Sequence, residues 1–132
     1  MISEIRISTH GRAELVDITA KVREVVKASK VISGICQIFV PHTTAGITIN
    51  ENADPSVKDD ILAGLEKIAP ENGNYSHSEG NADAHIKSSI VGTDRTVFVE
   101  GGVLTLGTWQ GIFFCEFDGP RQRNIIVRVT KG

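Results

Sequence analysis

Three of the four histidines in the chain, His42, His77 and His85, fall in turns or at a helix start beside acidic and amide groups. Neutral imidazole and carboxylate oxygen both donate lone pairs to zinc, manganese or iron at similar distances. The three histidines are therefore candidate ligands of a divalent metal ion, provided the fold brings them together. Their spacing matches no compact zinc signature such as HExxH. The densest polar patch is Asn50-Glu51-Asn52, followed by Asp54 and Asp60. Asp54 stands just before Pro55, where a carboxylate caps a helix, and Asp60 by default is a solvated helix residue. Glu51 ends a strand whose polar face already carries Thr48 and Asn50, a place for a carboxylate that binds a cation or acts as a general base.

Other groups suit anions and rings. Lys87-Ser88-Ser89 lies in a short segment with helical character, where hydroxyls and an ammonium near a helix N-terminus suit a phosphate group; plain solvent exposure is the competing reading. Gly107-Thr108-Trp109-Gln110-Gly111 holds the single tryptophan. Trp109 there either stacks on a heterocycle or packs at a subunit interface, the commoner role of a lone tryptophan. Arg121 and Arg123 follow the turn at Asp118-Gly119-Pro120 and suit phosphate or carboxylate, although paired arginines after a turn are also ordinary surface charges.

These residues need elements to hold them. Ile2, Ile5 and Ile7 mark a β-like opening up to His10-Gly11, and Ala13 to Ile18 is a second short segment. Ile18, Val22, Val25 and Val26 follow with the spacing of one helical face. Ile35 to Val40 is nearly all apolar, as in a buried strand. From Thr44 to Asn50 the pattern alternates, with Ala45, Ile47 and Ile49 on one side and Thr44, Gly46, Thr48 and Asn50 offering a polar site wall on the other. Val57, Ile61, Leu65 and Ile68 predict a helix that starts at Asp54-Pro55 and ends before Pro70. Glu71 to Gly80 reads as a loop, and Asn81 as the cap of a short helix ending at Gly92. Thr96 to Val99, Val103 to Leu106, Ile112 to Phe117 and Asn124 to Val129 read as strands.

The 132 residues fit one domain. The expected fold is α+β: a single compact domain with a β-sandwich-like mixed sheet and two to three helices. A formal net charge of −2 gives no electrostatic reason to expect nucleic acid or an acidic membrane as partner. No apolar stretch reaches the length of a membrane span, and the first ten residues lack the apolar core of a signal peptide. Cys36 and Cys115 form no CxxC pair, which suits buried thiols in a reduced, cytoplasmic protein.

Taken together, His42-Thr43-Thr44-Ala45, Asn50-Glu51-Asn52-Ala53-Asp54-Pro55, Asp60, Asn72-Gly73-Asn74-Tyr75, His77, His85-Ile86-Lys87-Ser88-Ser89, Gly107-Thr108-Trp109-Gln110-Gly111 and the Arg121/Arg123 turn closely resemble the YjbQ family. The match runs from about Gly34 to the C-terminus in the family's order. The resemblance implies a homotrimer with pockets near subunit boundaries. It also implies a secondary thiamine-phosphate synthase activity, which joins a pyrimidine methyl pyrophosphate to a thiazole phosphate. For that reaction His42, His77 and His85 are expected to hold a divalent ion (Zn, Mn or Mg), with Glu51, Asp60 and His85 as catalytic groups. Thr43, Asn50, Lys87, Ser88, Trp109 and Arg121 are expected to hold a small phosphorylated metabolite. Metal-assisted hydrolysis at the same constellation, and a trimeric binding protein without turnover, are the alternatives.

Overall fold

Period-two alternation sets the core side of four strands. Ile5 and Ile7 in β1 (Ile2–Ser8), Cys36 and Ile38 in β3 (Gly34–Phe39), Val97 and Val99 in β5 (Asp94–Glu100), and Ile125 and Val127 in β8 (Gln122–Lys131) are buried while their neighbours are more exposed. With the two-residue β6 (Val103–Leu104) these strands form one sheet in the order β1-β8-β3-β5-β6. A second sheet, in the order β2-β7-β4, contains β2 (Glu14–Asp17), β4 (Ala45–Glu51) and β7 (Gln110–Glu116). Every recorded strand pair is antiparallel, so the sandwich-like α+β expectation holds, while the expected mixed sheet is corrected to two purely antiparallel ones. The structure is a computed structural model describing residues Met1–Gly132.

The three helices close the layers. Helix α1 (Thr19–Ser29) inserts Val22 and Val26 into a core shared by both sheets, where they meet Ile38, Ile47, Phe114 and Val127. Helices α2 (Pro55–Ile68) and α3 (Ala82–Val91) cover the outer face of the small sheet: Leu65 and Ala84 pack with Phe113, Cys115 and Phe117. Strand β7 is thereby covered on both faces, which is why it reads as an uninterrupted apolar run. The N-terminus of α2 is capped as its sequence demands, with Asp54 Oδ1 accepting from the Ser56 backbone N–H at 3.0 Å. No helix is long and apolar enough to cross a membrane.

One expectation about β4 fails. The side carrying Gly46 and Thr48 is no open site wall, because α3 lies against it. The Ile47 N–H donates to the Gly92 carbonyl at 3.0 Å, and a Cβ at Gly46 would stand 2.6 Å from the Gly92 oxygen. The small residue lets helix and strand approach; it does not admit a ligand.

Candidate active site

At one end of the sandwich three connections meet: the β3–β4 loop (40–44), the β7–β8 turn (117–121), and the segment leading into α3 (79–81). Together they frame an open cleft of about 400 Å³ with no hydrophobic side chain in its lining. His42, Thr43 and Thr44 come from the first, Asp118 and Arg121 from the second with Arg123 of β8 beside them, and Glu79 and Asn81 from the third, with His85 of α3 beside them.

The floor of the cleft is a buried ion pair. Glu116 shares a face of β7 with Ile112 and Phe114, so its carboxylate points between the sheets, where Arg123 faces inward from β8. Glu116 Oε1 accepts from Arg123 Nε at 2.9 Å and from the Thr9 hydroxyl at 2.7 Å. Oε2 accepts from Arg123 Nη2 and from the backbone N–H groups of Phe117 and Asp118. Burial alone pushes this carboxyl up, but Arg123, Thr9 and the backbone donors outweigh it and hold it below the usual carboxylate range. Arg123 Nη2 also donates to Thr44 Oγ1 at 2.9 Å. Its Nη1 donates to nothing in the protein, and the one sealed side-chain polar atom without a partner is Asn81 Oδ1. The free Nη1 edge of a rigidly held guanidinium is therefore open to the cleft.

His42 sits beside it as a hydrogen-bond donor. Its Nε2 accepts from the Asn124 backbone N–H at 3.0 Å, so the neutral ring carries its proton on Nδ1. Partial burial and the charge of Arg123 hold its pKa below the ordinary histidine value. At neutral pH His42 thus presents an unpartnered Nδ1–H. Its Nε2 lone pair is already engaged, so it does not serve as the metal ligand expected from the sequence.

The rest of the frame is locked by charge. Asp118 Oδ2 accepts from Arg121 Nη2 at 2.8 Å and from Asn81 Nδ2 at 2.9 Å, and Oδ1 accepts from Arg12 Nη1 at 3.3 Å. Burial raises the Asp118 pKa, but Asn81, Arg121 and Arg12 together leave it lowered. Asn81 was expected to cap α3 through its side chain; it makes no cap hydrogen bond, because its amide is drawn to Asp118. Arg12 reaches from the β1–β2 connection to Asp83 at 2.9 Å and Glu71 at 2.9 Å, tying the loop and α3 to the turn.

Helical spacing decides which residues of α3 serve the cleft. Asn81, His85 and Ser88 share one face, while Asp83 and Lys87 share another. Lys87 is buried, and its ammonium donates to Asp83 at 2.8 Å and Glu66 at 2.7 Å. It ties α3 to α2 and is not free to receive a phosphate, which corrects the role assigned from the sequence. Ser88 is corrected likewise: its hydroxyl donates to the Thr43 carbonyl at 2.6 Å and fixes the β3–β4 loop. His77 meets His85 edge to face, with ring centroids 5.2 Å apart, and lies 3.6 Å from Glu79. With His42 bonded to Asn124, the three histidines do not form one metal ligand set, and no group of three or more His, Cys, Asp or Glu is arranged to hold an ion.

The remaining expected site residues lie elsewhere. Ala45, at the start of β4, adjoins the cleft, whereas Asn50 and Glu51 end that strand, six residues on and roughly 20 Å away at strand rise. There they pair with Gly111 and Gln110, and the Asn52 N–H donates to the Trp109 carbonyl at 2.9 Å. Trp109 is 64% exposed. Asp60 is exposed on α2 and does not line the cleft. Within one chain, therefore, His42, Thr43, His85 and Arg121 come together with His77 alongside, while Asn50, Glu51, Asp60 and Trp109 do not join them. Glu116 was overlooked as a functional residue. The signal was present in its being the one charge in the run Ile112 to Phe117, a position that demands a buried partner.

Comparison with known proteins agrees with this architecture. A family model described as UPF0047 protein YjbQ-like matches residues 3–132. The chain is 57% identical over 129 residues to a UPF0047 protein of Methanocaldococcus jannaschii, covering 98% of this chain and 94% of that protein. It is 50% identical over 130 residues to the UPF0047 protein YugU of Bacillus subtilis, covering 98% of each. Among solved structures, a YjbQ/UPF0047 family protein from Clostridium acetobutylicum superposes with a TM-score of 0.95 at 50% identity, over 97% of this chain and 99% of that one. A YbjQ-like protein of Sulfolobus solfataricus P2 superposes with a TM-score of 0.96 at 38% identity, over 100% and 97%. The chain belongs to the YjbQ-like UPF0047 family.

Proposed function

We propose that the cleft beside His42 and Arg123 binds a small phosphorylated metabolite and hosts a secondary thiamine-phosphate synthase activity. The observation that carries this reading is the guanidinium of Arg123, pinned by Glu116 and Thr44 with Nη1 left open in a cleft that His42, with its unpartnered Nδ1–H, also lines. In the proposed reaction the thiazole nitrogen attacks the methylene carbon of the pyrimidine methyl pyrophosphate. A C–N bond forms, the C–O bond breaks, and pyrophosphate leaves with the bonding pair. Negative charge grows on the departing oxygen, where fixed donors that need no reorganisation are most useful. Arg123 and His42 supply such donors, Arg121 adds a second guanidinium at the mouth, and Thr43 and His85 line the remaining space.

Both guanidinia already face carboxylates, so they cannot neutralise a pyrophosphate. The proposed divalent ion accordingly enters with the pyrophosphate as part of the substrate. Asn50, Glu51 and Trp109 would act here only if contributed by another subunit. A homotrimer is proposed on the exposed apolar side chains of the large sheet's outer face, Ile2, Phe39, Phe98 and Val103. A cytoplasmic location is proposed from the two free, buried thiols.

Product formation from the two phosphorylated substrates tests this. Wild-type protein with Mg²⁺, Mn²⁺ or Zn²⁺ should form thiamine phosphate and release pyrophosphate, and Arg121→Ala should lower kcat/KM at least tenfold without altering the fold. No product from wild-type protein, or full activity in Arg121→Ala, contradicts the assignment; undiminished activity in EDTA removes the divalent ion. The engaged Nε2 of His42 favours a second reading, binding without turnover, because that histidine is then no general base.

A further inference from the structure

One guanidinium outside the cleft is joined to the elements that frame it. Arg12, in the β1–β2 connection, does not line the cleft. Its Nη1 donates to Asp118 Oδ1 at 3.3 Å in the β7–β8 turn. Its Nη2 donates to Asp83 Oδ1 at 2.9 Å on α3 and to the Gly80 carbonyl at 3.4 Å. Nε lies 2.9 Å from Glu71 Oε1. The Gly119 N–H donates to the Arg12 carbonyl at 2.9 Å, so backbone and side chain grip the same turn. A planar fork engaged at every nitrogen has one orientation, which fixes where Nη1 meets Asp118.

Asp118 carries that constraint to the cleft. Its Oδ2 accepts from Arg121 Nη2 at 2.8 Å and from Asn81 Nδ2 at 2.9 Å, while Oδ1 is taken by Arg12. Arg121 therefore meets this carboxylate through one oxygen only. Its Nε donates to the Asp118 carbonyl at 2.7 Å, and its Nη1 donates to nothing in the chain. A carboxylate with both oxygens available grips a guanidinium bidentately. Without Arg12, Oδ1 is released to turn onto Arg121, whose side chain is half-exposed and free to meet it. That second bond uses up the donor that Arg121 otherwise keeps open at the cleft it lines.

We infer, resting on the phosphate reading above, that Arg12 is a positioning residue of the cleft. It occupies Asp118 Oδ1, so that the carboxylate holds Arg121 by one oxygen and leaves Arg121 Nη1 free for a phosphate oxygen. Arg12 touches no ligand itself and acts through Asp118.

Titration calorimetry with inorganic phosphate tests this on wild-type protein, Arg12→Met, Asp118→Asn and the double variant. Arg12→Met leaves Asp83 with Lys87, and Asp118 with Arg121 and Asn81, so the chain should still fold. Arg12→Gln carries the same prediction should the methionine variant not fold. Because Arg121 is half-exposed, Arg12→Met should weaken phosphate binding about three- to fivefold. In the Asp118→Asn background, where no carboxylate is left to capture Arg121, the same change should alter affinity by less than about twofold. A strut that only stabilises the fold would instead cost the same factor in both backgrounds, and that result overturns the inference. Unchanged phosphate affinity in Arg12→Met overturns it too, while the phosphate reading stands. If wild-type protein binds no phosphate, both fail together.

Discussion

Replacing Arg123 by methionine removes the cation from beneath the cleft while keeping most of the side-chain volume. Glu116 is then left as a carboxylate with no accessible surface, still holding the Thr9 hydroxyl and two backbone N–H groups but no counter-charge. Breaking a buried pair from one side costs about 3–5 kcal/mol, and the three surviving donors place this case near the lower figure. At about 2.1 cal/mol/K per residue, the 132-residue chain unfolds with an entropy of about 0.28 kcal/mol/K. The expected fall in Tm is therefore roughly 11 °C, and up to about 18 °C if the donors give no relief.

The pH dependence has a definite sign. In wild-type protein the Glu116 carboxyl lies below its ordinary value of 4.5, so its stabilisation is complete above that value. It is lost as pH falls through the folded value. In Arg123→Met the buried carboxyl loses its cation, its pKa rises, and protonation relieves the defect. The gap in Tm between the two proteins should therefore be widest at neutral pH and narrow towards pH 4.5. Adding Glu116→Gln to Arg123→Met should recover much of the loss. Differential scanning calorimetry across pH reads all three effects. A fall below about 3 °C that does not vary with pH, or a double variant whose loss equals the sum of the single losses, would refute the reasoning.

Three further outcomes follow from the packing. Gly34→Ala should unfold or severely destabilise the protein, because its Cβ would stand 2.0 Å from the Thr130 carbonyl, whereas Gly64→Ala, in open space on α2, should raise stability by about 0.4–1 kcal/mol; thermal melts compare the two directly. Burial lowers the Lys87 pKa, but Asp83 and Glu66 outweigh it and leave it raised above 10.5. Its stabilisation should thus persist below that value and disappear as pH rises through the folded pKa; Lys87→Met should be destabilised at pH 7 and lose its deficit relative to wild type in strong alkali, as followed by circular dichroism. Burial pushes the Cys36 and Cys115 thiols up to about 11 and about 12, so neither should react with a thiol reagent at pH 8 until the chain is unfolded in denaturant.

Much of the architecture was legible because local patterns and tertiary burial agree here. The Val22/Val26 stripe, the Asp54-Pro55 start and the alternation in β8 each carry one periodicity, and each lies where that periodicity points. The polar side of β4 was misread because alternation reports which residues are small or polar, and not whether a helix lies over them. Gly46 was the clue, since a glycine within a strand marks a close backbone approach. The site was half legible. His42, Thr43, His85 and Arg121 stand out as polar residues at element ends, and the fold gathers them. Lys87 and Ser88 were misassigned because the face of a short helix depends on its neighbours, and Glu66 and Thr43 are distant in sequence. Arg123 looked like a surface charge because its partner, Glu116, lies across the gap between two sheets. Nothing local reports that pairing except the oddity of a glutamate in an apolar strand.

Arg123 and His42 are proposed to act together as an oxyanion receptor in the polar cleft. A crystal structure of the protein soaked with phosphate at neutral pH tests it most directly. The account predicts a phosphate within hydrogen-bond distance of both Arg123 Nη1 and His42 Nδ1, with Glu116 still bonded to Arg123. Phosphate bound only elsewhere on the chain, or a cleft that stays empty at saturating phosphate, would contradict it.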